Sequence, residues 1–286
     1  MADRIERPER VACYFGGMRT RTITIVVLAA CGPTARSNID AGKAVDLDAS
    51  VDATPAVDAP PPIAAGPVRV VFTADNAYSF GYGDGAGVTH FTQGTRAQTA
   101  GQIFNCPIGN GPEQYDIPEA DAPAGAYLYI VAWDDLAVTQ GVLGQFTRAT
   151  GQVLTGDPQF SVCATGVDFS SSQVGPTLAV INTEITRCND GSGAATTTSK
   201  GWVNTAGPLT AGALGTLAVG ELNDDGAGTF PIVCQPTATT EGITSAARWM
   251  WYEPADGQSA DAFHSTGTNR FKAFLIFRLA AADIIL

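Results

Sequence analysis

Alternating apolar and polar or small residues mark several short segments of this chain as β-strands. Residues 78–82 carry an aromatic side chain at every second position, and the glycines on either side of Asp84 supply a turn directly afterwards. Residues 126–133 are apolar at both alternate sets of positions, which is typical of a central strand covered on both faces. Further strands are predicted at residues 68–74, 142–146, 159–163, 177–181, 230–234, 248–252 and 271–278.

Helical periodicity is weak along the same region. No convincing amphipathic stretch of eleven residues is found, although residues 210–222 could hold a turn or two of helix. The strand candidates are bounded by clusters of Gly, Pro, Asn and Asp, and no long internal repeat is visible. We therefore predict one all-β domain, a jelly-roll β-sandwich, over residues 68–286.

Composition and charge narrow the class of protein. Of the 286 residues, 45% are hydrophobic and only 15% are charged, with 32 glycines and 17 prolines, a profile typical of an exported, turn-rich β protein. The net charge is −12, so the chain is repelled by phosphate backbones and by anionic lipid headgroups. Nucleic-acid partners and polybasic membrane docking are excluded on this ground.

The first thirty residues are typical of a bacterial export signal. A basic segment precedes a short apolar run, and Met18 offers a second, cleaner start of such a signal. The run ends in the tetrapeptide 28–31, Leu-Ala-Ala-Cys, which resembles a bacterial lipobox. The resemblance implies cleavage after residue 30 and acylation of the Cys31 thiol. An ordinary signal peptide that contains a cysteine is the alternative.

Residues 31–67 are rich in Asp, Ala and Pro and contain no aromatic residue. Such a segment cannot bury enough apolar surface to offset its ordering entropy, so we predict a disordered tether. Gly32 follows the cysteine where an Asp would signal inner-membrane retention in bacterial lipoproteins. The expected location is therefore the outer membrane or cell surface, with the lipid anchor as the only membrane contact.

Five short motifs occur in order along the predicted domain. They comprise an Ala-Asp-Asn opening and four strand-like segments, at residues 73–78, 125–132, 140–146, 154–165 and 247–252 with 274–278. Together they resemble the galactose-binding-like jelly-roll domains that accompany the catalytic domains of α-L-rhamnosidases and related glycosidases. The resemblance implies a β-sandwich and a sugar ligand.

Four cysteines follow the lipobox in the predicted domain. An even set in an exported protein indicates two disulfides, and their pairing stays open. The cysteines are too far apart for the paired spacings of a zinc site. We predict that all four are oxidised: Cys106, Cys163, Cys188 and Cys234.

No catalytic, metal or cofactor motif is evident in the chain. His90 and His264 lie in Thr-, Ser- and Gly-rich surroundings, which predict solvated loop positions. The acidic pairs at residues 134–135 and 224–225 could offer oxygen ligands to Ca²⁺, but turns that bond their own backbone explain them better. We predict no enzyme activity, no cofactor and no metal.

Two aromatic residues are candidates for stacking on a sugar ring. Tyr82 precedes the predicted turn, and Trp202 is expected at a loop edge. Packing in the core is the favoured interpretation for both side chains, and stacking on a ligand is the alternative. The predicted function is a non-catalytic binding or adhesion module on the cell envelope, with glycan as ligand. The alternatives are a structural envelope protein and a glycan-active enzyme.

Overall fold

The computed structural model describes ten stretches of the chain, all within the compact unit Pro60–Leu286. The predicted signal peptide, the lipobox cysteine Cys31 and almost all of the predicted tether lie outside the described residues, as does Cys106. The described stretches are residues 66–94, 96–105, 112–135, 137–149, 151–170, 172–191, 201–226, 228–255, 261–264 and 272–285.

Thirteen strands and two α-helices form the described part of the chain. The helices are α1 (Gly101–Phe104) and α2 (Leu178–Asp190), and single turns of 3-10 helix lie at Glu119–Asp121 and Ala281–Asp283. The strands are β1 (Val68–Asp75), β2 (Ala77–Asp84), β3 (Gly87–Thr92), β4 (Glu113–Ile117), β5 (Ala126–Trp133), β6 (Gly141–Arg148), β7 (Gly151–Leu154), β8 (Ser161–Asp168), β9 (Trp202–Asn204), β10 (Gly207–Pro208), β11 (Thr216–Leu222), β12 (Arg248–Glu253) and β13 (Ala273–Ala280).

Two antiparallel sheets confirm the predicted all-β sandwich. The first sheet has the order β11-β12-β6-β1-β4, with β7 paired to β6. The second sheet has the order β10-β9-β8-β13-β5-β2-β3. Neighbouring strands are frequently distant in the chain, as in the β1–β6 pair, so the two sheets depend on long-range pairing. Strand β4 is the last strand of the first sheet on one side, and β3 is the last strand of the second sheet.

The central core lies between the sheets and follows the period of two along each strand. The alternate residues Val68, Val70 and Phe72 of β1 are buried in this core, and so are Leu275 and Phe277 of β13. The two parities of β5 divide between two cores, as its apolar pattern predicted. Its even positions join the central core, and its odd positions form a second cluster beneath α2.

Helix α2 overturns the strand predicted at residues 177–181. The Thr177 side chain caps the helix by accepting a hydrogen bond from the Val180 amide at 3.5 Å, and Gly191 ends it in the left-handed conformation with φ 61°. Ile181, Ile185 and Cys188 are buried on one face. The helical period extends over thirteen residues, so a five-residue window shows only its β-branched start.

The disulfide between Cys163 and Cys188 joins α2 to β8 in the second sheet. The bridge closes a loop across a sequence separation of 25 residues. Cys234 is disulfide-bonded as well. Three of the four cysteines predicted to be oxidised are thus oxidised in the described residues.

The outer face of the first sheet is covered by α1 and by chain that has no regular structure. The strand predicted at residues 230–234 is absent, and that segment packs its Phe230 ring against Trp249, with centroids 4.0 Å apart and planes 12° from parallel. Buried Asn223 holds the segment: its amide bonds the Val233 and Ile243 carbonyls and accepts the Val233 N–H. Hydrogen bonds of the Asn223 side chain thus hold this segment in place of the backbone hydrogen bonds of a strand pair.

The prediction for residues 210–222 is wrong as well. Residues 216–222 form β11, which pairs with β12 and contains a register shift between Val219 and Leu222. Most of β11 is half-buried, so neither a helical nor a clean alternating pattern marks it in the sequence.

Candidate functional site

An open cleft lies at one side of the sandwich, where the end strands β3 and β4 come together. Its volume is about 540 Å³, and it is lined by residues 80–82 of β2, 89–92 of β3 and 114–116 of β4. We call it the edge cleft. This size lies within the range of sites that bind small ligands, roughly 300–1,000 Å³.

Tyr82 and His90 form one wall of the edge cleft. They are directly opposite each other in the β2–β3 pair, and their rings stack with centroids 4.5 Å apart and planes 12° from parallel. Between them, Gly81 lets the β2 and β3 backbones approach closely, because a Cβ atom there would lie 2.7 Å from the His90 carbonyl oxygen. Tyr82 is half-buried and His90 is exposed, so the stacked pair presents aromatic surface to solvent.

His90 corrects the prediction of a solvated loop position. It lies within β3 and belongs to the edge cleft with Tyr82. Counting back across the turn at residues 85–86 would place Thr89 opposite Tyr82, but a register shift between Tyr82 and Gly83 brings His90 there instead, so the sequence carried no signal for this pair. Asp84 stabilises that turn, because its Oδ1 accepts hydrogen bonds from the Ala86 and Gly87 amides at 2.8 and 3.2 Å.

Tyr115 lies across the cleft on β4 and was not singled out from the sequence. Its ring packs on Phe80, with centroids 4.4 Å apart, while one part of the side chain stays exposed. Its hydroxyl donates to Glu113 Oε2 at 2.8 Å. Burial, followed by the Glu113 carboxylate, raises the pKa of Tyr115 far above its ordinary value. The phenol is therefore neutral at physiological pH.

The Tyr82 hydroxyl has a similar neighbour. It lies 3.5 Å from Asp121 Oδ2, and burial together with that carboxylate raises the pKa of Tyr82. Both tyrosines of the cleft thus hold their hydroxyls toward carboxylates and expose ring surface instead.

Polar residues of β3 and β4 also line the cleft. Asp116 forms an ion pair with Arg69, which also binds Glu241 through two hydrogen bonds of 2.7 Å. The Thr92 hydroxyl bonds no other described residue, so it keeps hydrogen-bonding capacity for a ligand. The cleft combines rings that can stack with groups that can bond hydroxyls.

Trp202 does not lie at a loop edge, and this prediction is corrected. The side chain is fully buried in β9 beneath α2, and its Nε1 donates to Asn189 Oδ1 at 2.8 Å. The guanidinium of Arg278 lies 3.8 Å from the ring centroid. Trp202 belongs to the cluster under α2, whereas Tyr82 packs against the central core on the opposite face of the same sheet.

The acidic pairs form turns, as the favoured interpretation predicted. Asp224 Oδ1 accepts a hydrogen bond from the Gly226 amide at 3.0 Å, and Asp135 Oδ1 accepts one from the Ala137 amide at 2.8 Å. A second depression of about 350 Å³ lies beside the first of these turns. Its Glu221 carboxylate already accepts the Thr229 and Phe230 amides. Within the described stretches, no three His, Cys, Asp or Glu side chains are grouped to hold a metal ion.

One buried carboxyl lies apart from the edge cleft. Asp75 ends β1 and is only 5% exposed, and it accepts a hydrogen bond from the Thr139 hydroxyl at 2.5 Å. Burial raises the pKa of Asp75 to about 6, the Thr139 bond opposes the rise, and the Asp135 and Asp134 carboxylates add to it. Asp75 does not line the edge cleft, and its burial bears on stability.

Comparisons with protein-family models, with curated proteins and with solved structures give no match to this chain. No helix in the described stretches has the length and apolar character that a membrane span requires. Fold and site together define an all-β sandwich with an aromatic, hydrogen-bonding cleft at one edge.

Proposed function

We propose that this protein is an exported, lipid-anchored and non-catalytic glycan-binding module. The observation that carries the proposal is the edge cleft. The Tyr82–His90 stack and Tyr115 present ring surface there beside the Thr92 hydroxyl, which bonds no other described residue. The apolar faces of sugar rings stack on aromatic side chains, while amides, carboxylates and hydroxyls bond the sugar hydroxyls. The resemblance of the five sequence motifs to galactose-binding-like domains supports the same ligand class.

The exposed rings favour binding over a purely structural role. A structural envelope protein has no need for stacked, half-exposed aromatic side chains, because such surface is costly in water unless it is covered by a ligand or partner. The cleft is also placed at an edge, where an oligosaccharide can enter without displacing a cover.

The anchor is proposed from the sequence alone. Acylation of Cys31 would hold the protein at the membrane, and the tether of residues 31–67 would let the domain reach up to ~100 Å from it at ~3 Å per residue. Diacylation provides stable retention, whereas a single chain binds only marginally. Cys31→Ala should release or misprocess the protein in membrane fractionation. An unchanged distribution would contradict the anchor.

Screening of the full chain on a broad glycan array, with turnover measured in parallel, tests the function. We expect glycan binding that falls at least ~10-fold in Tyr82→Ala and in Tyr115→Ala, a loss equivalent to ~1.4 kcal/mol. Tyr127→Ala is the matched control, since this half-buried tyrosine packs under α2 on the other face of the sheet. Binding that survives both cleft variants places the ligand elsewhere and contradicts the proposal.

Two other outcomes select the alternatives. Absence of binding to every glycan would overturn the proposal in favour of a structural role. Turnover of any glycan would overturn the non-catalytic assignment, and the carboxylates around the cleft would then be examined as acid and base.

A further inference from the structure

The edge cleft is surrounded by negative charge. Asp116 lies in its lining with the side chain 68% exposed. The two cleft tyrosines each hold a carboxylate at the hydroxyl, Asp121 at Tyr82 and Glu113 at Tyr115. The residues that line the cleft include no lysine and no arginine.

The nearest cation does not neutralise this charge. Arg69 is shared between Asp116 and Glu241, so one guanidinium faces two carboxylates. Glu113 and Asp121 have no basic partner among the described residues. The Asp121 and Glu113 carboxylates at the two tyrosine hydroxyls are therefore not neutralised by a cation, which leaves an excess of negative charge at the site.

We infer that the edge cleft selects glycans by charge: it prefers sugars that carry a free amino group and excludes sugars that carry a carboxylate. This inference rests on the proposed function and names its ligand class. An ammonium group on a stacked sugar ring lies within Coulombic reach of the cleft carboxylates. The same cation is attracted by the faces of the tyrosine rings. The carboxylate of a uronate is repelled by the cleft carboxylates, so a uronate stays hydrated in solution and does not bind.

Titration calorimetry of the full chain with three β-1,4-linked oligomers of equal length tests the inference. The probes are glucosamine, glucose and glucuronate oligomers at low salt. We expect the glucosamine oligomer to bind about 5-fold more tightly than the glucose oligomer, as two partly exposed charge pairs would give. The glucuronate oligomer should show no binding, and the preference for glucosamine should shrink in high salt.

Charge-removing variants identify the source of the preference. Glu113→Gln combined with Asp121→Asn keeps an acceptor oxygen beside each tyrosine and removes both charges. We expect this double variant to bind the glucosamine and glucose oligomers within about 2-fold of each other. Asp224→Asn is the control, since this exposed aspartate lies in a turn outside the cleft and its loss should change nothing.

The outcomes separate this inference from the function beneath it. Equal affinity for glucosamine and glucose oligomers, or tighter binding of glucuronate, would overturn charge selection and leave glycan binding intact. A preference that persists in the double variant would likewise contradict it, because the carboxylates would not be its cause. If neither the array nor any oligomer shows binding, the proposed function fails and charge selection fails with it.

Discussion

Tyr82 and Trp202 lie in the same sheet and have opposite surroundings. Tyr82 is half-buried at the edge cleft, and its ring stacks on the exposed His90 ring with centroids 4.5 Å apart. Trp202 is fully buried, with α2 and Asn189 on one side and the Arg278 guanidinium 3.8 Å from its ring centroid. One ring can meet a ligand, and the other is part of a core.

The difference lies in what covers each face of the sheet. Helix α2 lies over the outer face and is held there by the Cys163–Cys188 disulfide. Among the described residues, nothing covers the inner face in this way at the edge, because the two sheets end there at β3 and β4 and leave the cleft open. An aromatic side chain becomes a candidate binding surface only where the layer above it stops.

Trp202→Ala should produce the largest loss of stability. Removal of a fully buried indole leaves a cavity under α2 and takes away one of the two hydrogen bonds that Asn189 Oδ1 accepts, at a cost of about 3–5 kcal/mol. Urea denaturation measures the loss. Trp202→Phe should retain much of the stability, and equal stability of Trp202→Ala and the parent would contradict a core role.

Removal of the disulfide should have the next largest effect. The double variant Cys163→Ala, Cys188→Ala loses a bridge across 25 residues, for which about 3 kcal/mol is expected. Glycan binding at the edge cleft should remain within 2-fold of the parent at temperatures where the variant is folded. A binding loss as large as the Tyr82→Ala loss would show that the two faces are coupled.

Asp75 provides a pH-dependent control that lies in neither region. Its pKa is about 6 in the folded chain and near 4 when unfolded, so its contribution to stability is full below pH 4 and is lost as the pH rises through 6. Asp75→Asn should therefore gain about 2–3 kcal/mol over the parent at pH 8 and little at pH 4. Urea denaturation at both pH values measures this, with Asp224→Asn as the exposed control. A gain that does not depend on pH would refute the titration of Asp75 as its cause.

Tyr82→Ala should have the smallest effect on stability. The half-exposed ring contributes a stacking contact with His90, so a loss of about 1 kcal/mol is expected. Comparison of Tyr82→Ala with Trp202→Ala separates the two effects, because the first variant should lose glycan binding and the second should lose stability. A loss above ~3 kcal/mol would mean that Tyr82 is a core residue as well, and its effect on binding would then need correction for unfolding.

Strand positions were largely predictable because the period of two is local. The patterns at residues 68–74, 78–82 and 126–133 correspond to β1, β2 and β5. Because β5 is apolar at both alternate sets of positions, its pattern predicted that both faces of the strand are covered. The edge cleft was predictable only in part. Tyr82 was identified from its place beside a turn, whereas Tyr115 lies on a short strand whose residues are half-buried and show no clear alternation.

The sequence by itself determined the sandwich, the turn at Asp84 and the even set of cysteines in the domain, since each depends on neighbours a few residues apart or on simple counting. Only the tertiary structure decided which cysteines pair, that residues 178–190 form a helix over the second sheet, and that Trp202 is covered while Tyr82 is open. The physical reason is that strand parity assigns a side chain to a face, but residues far away in the chain determine what lies on that face. Sheets built from long-range pairs such as β1 with β6 leave that choice to packing.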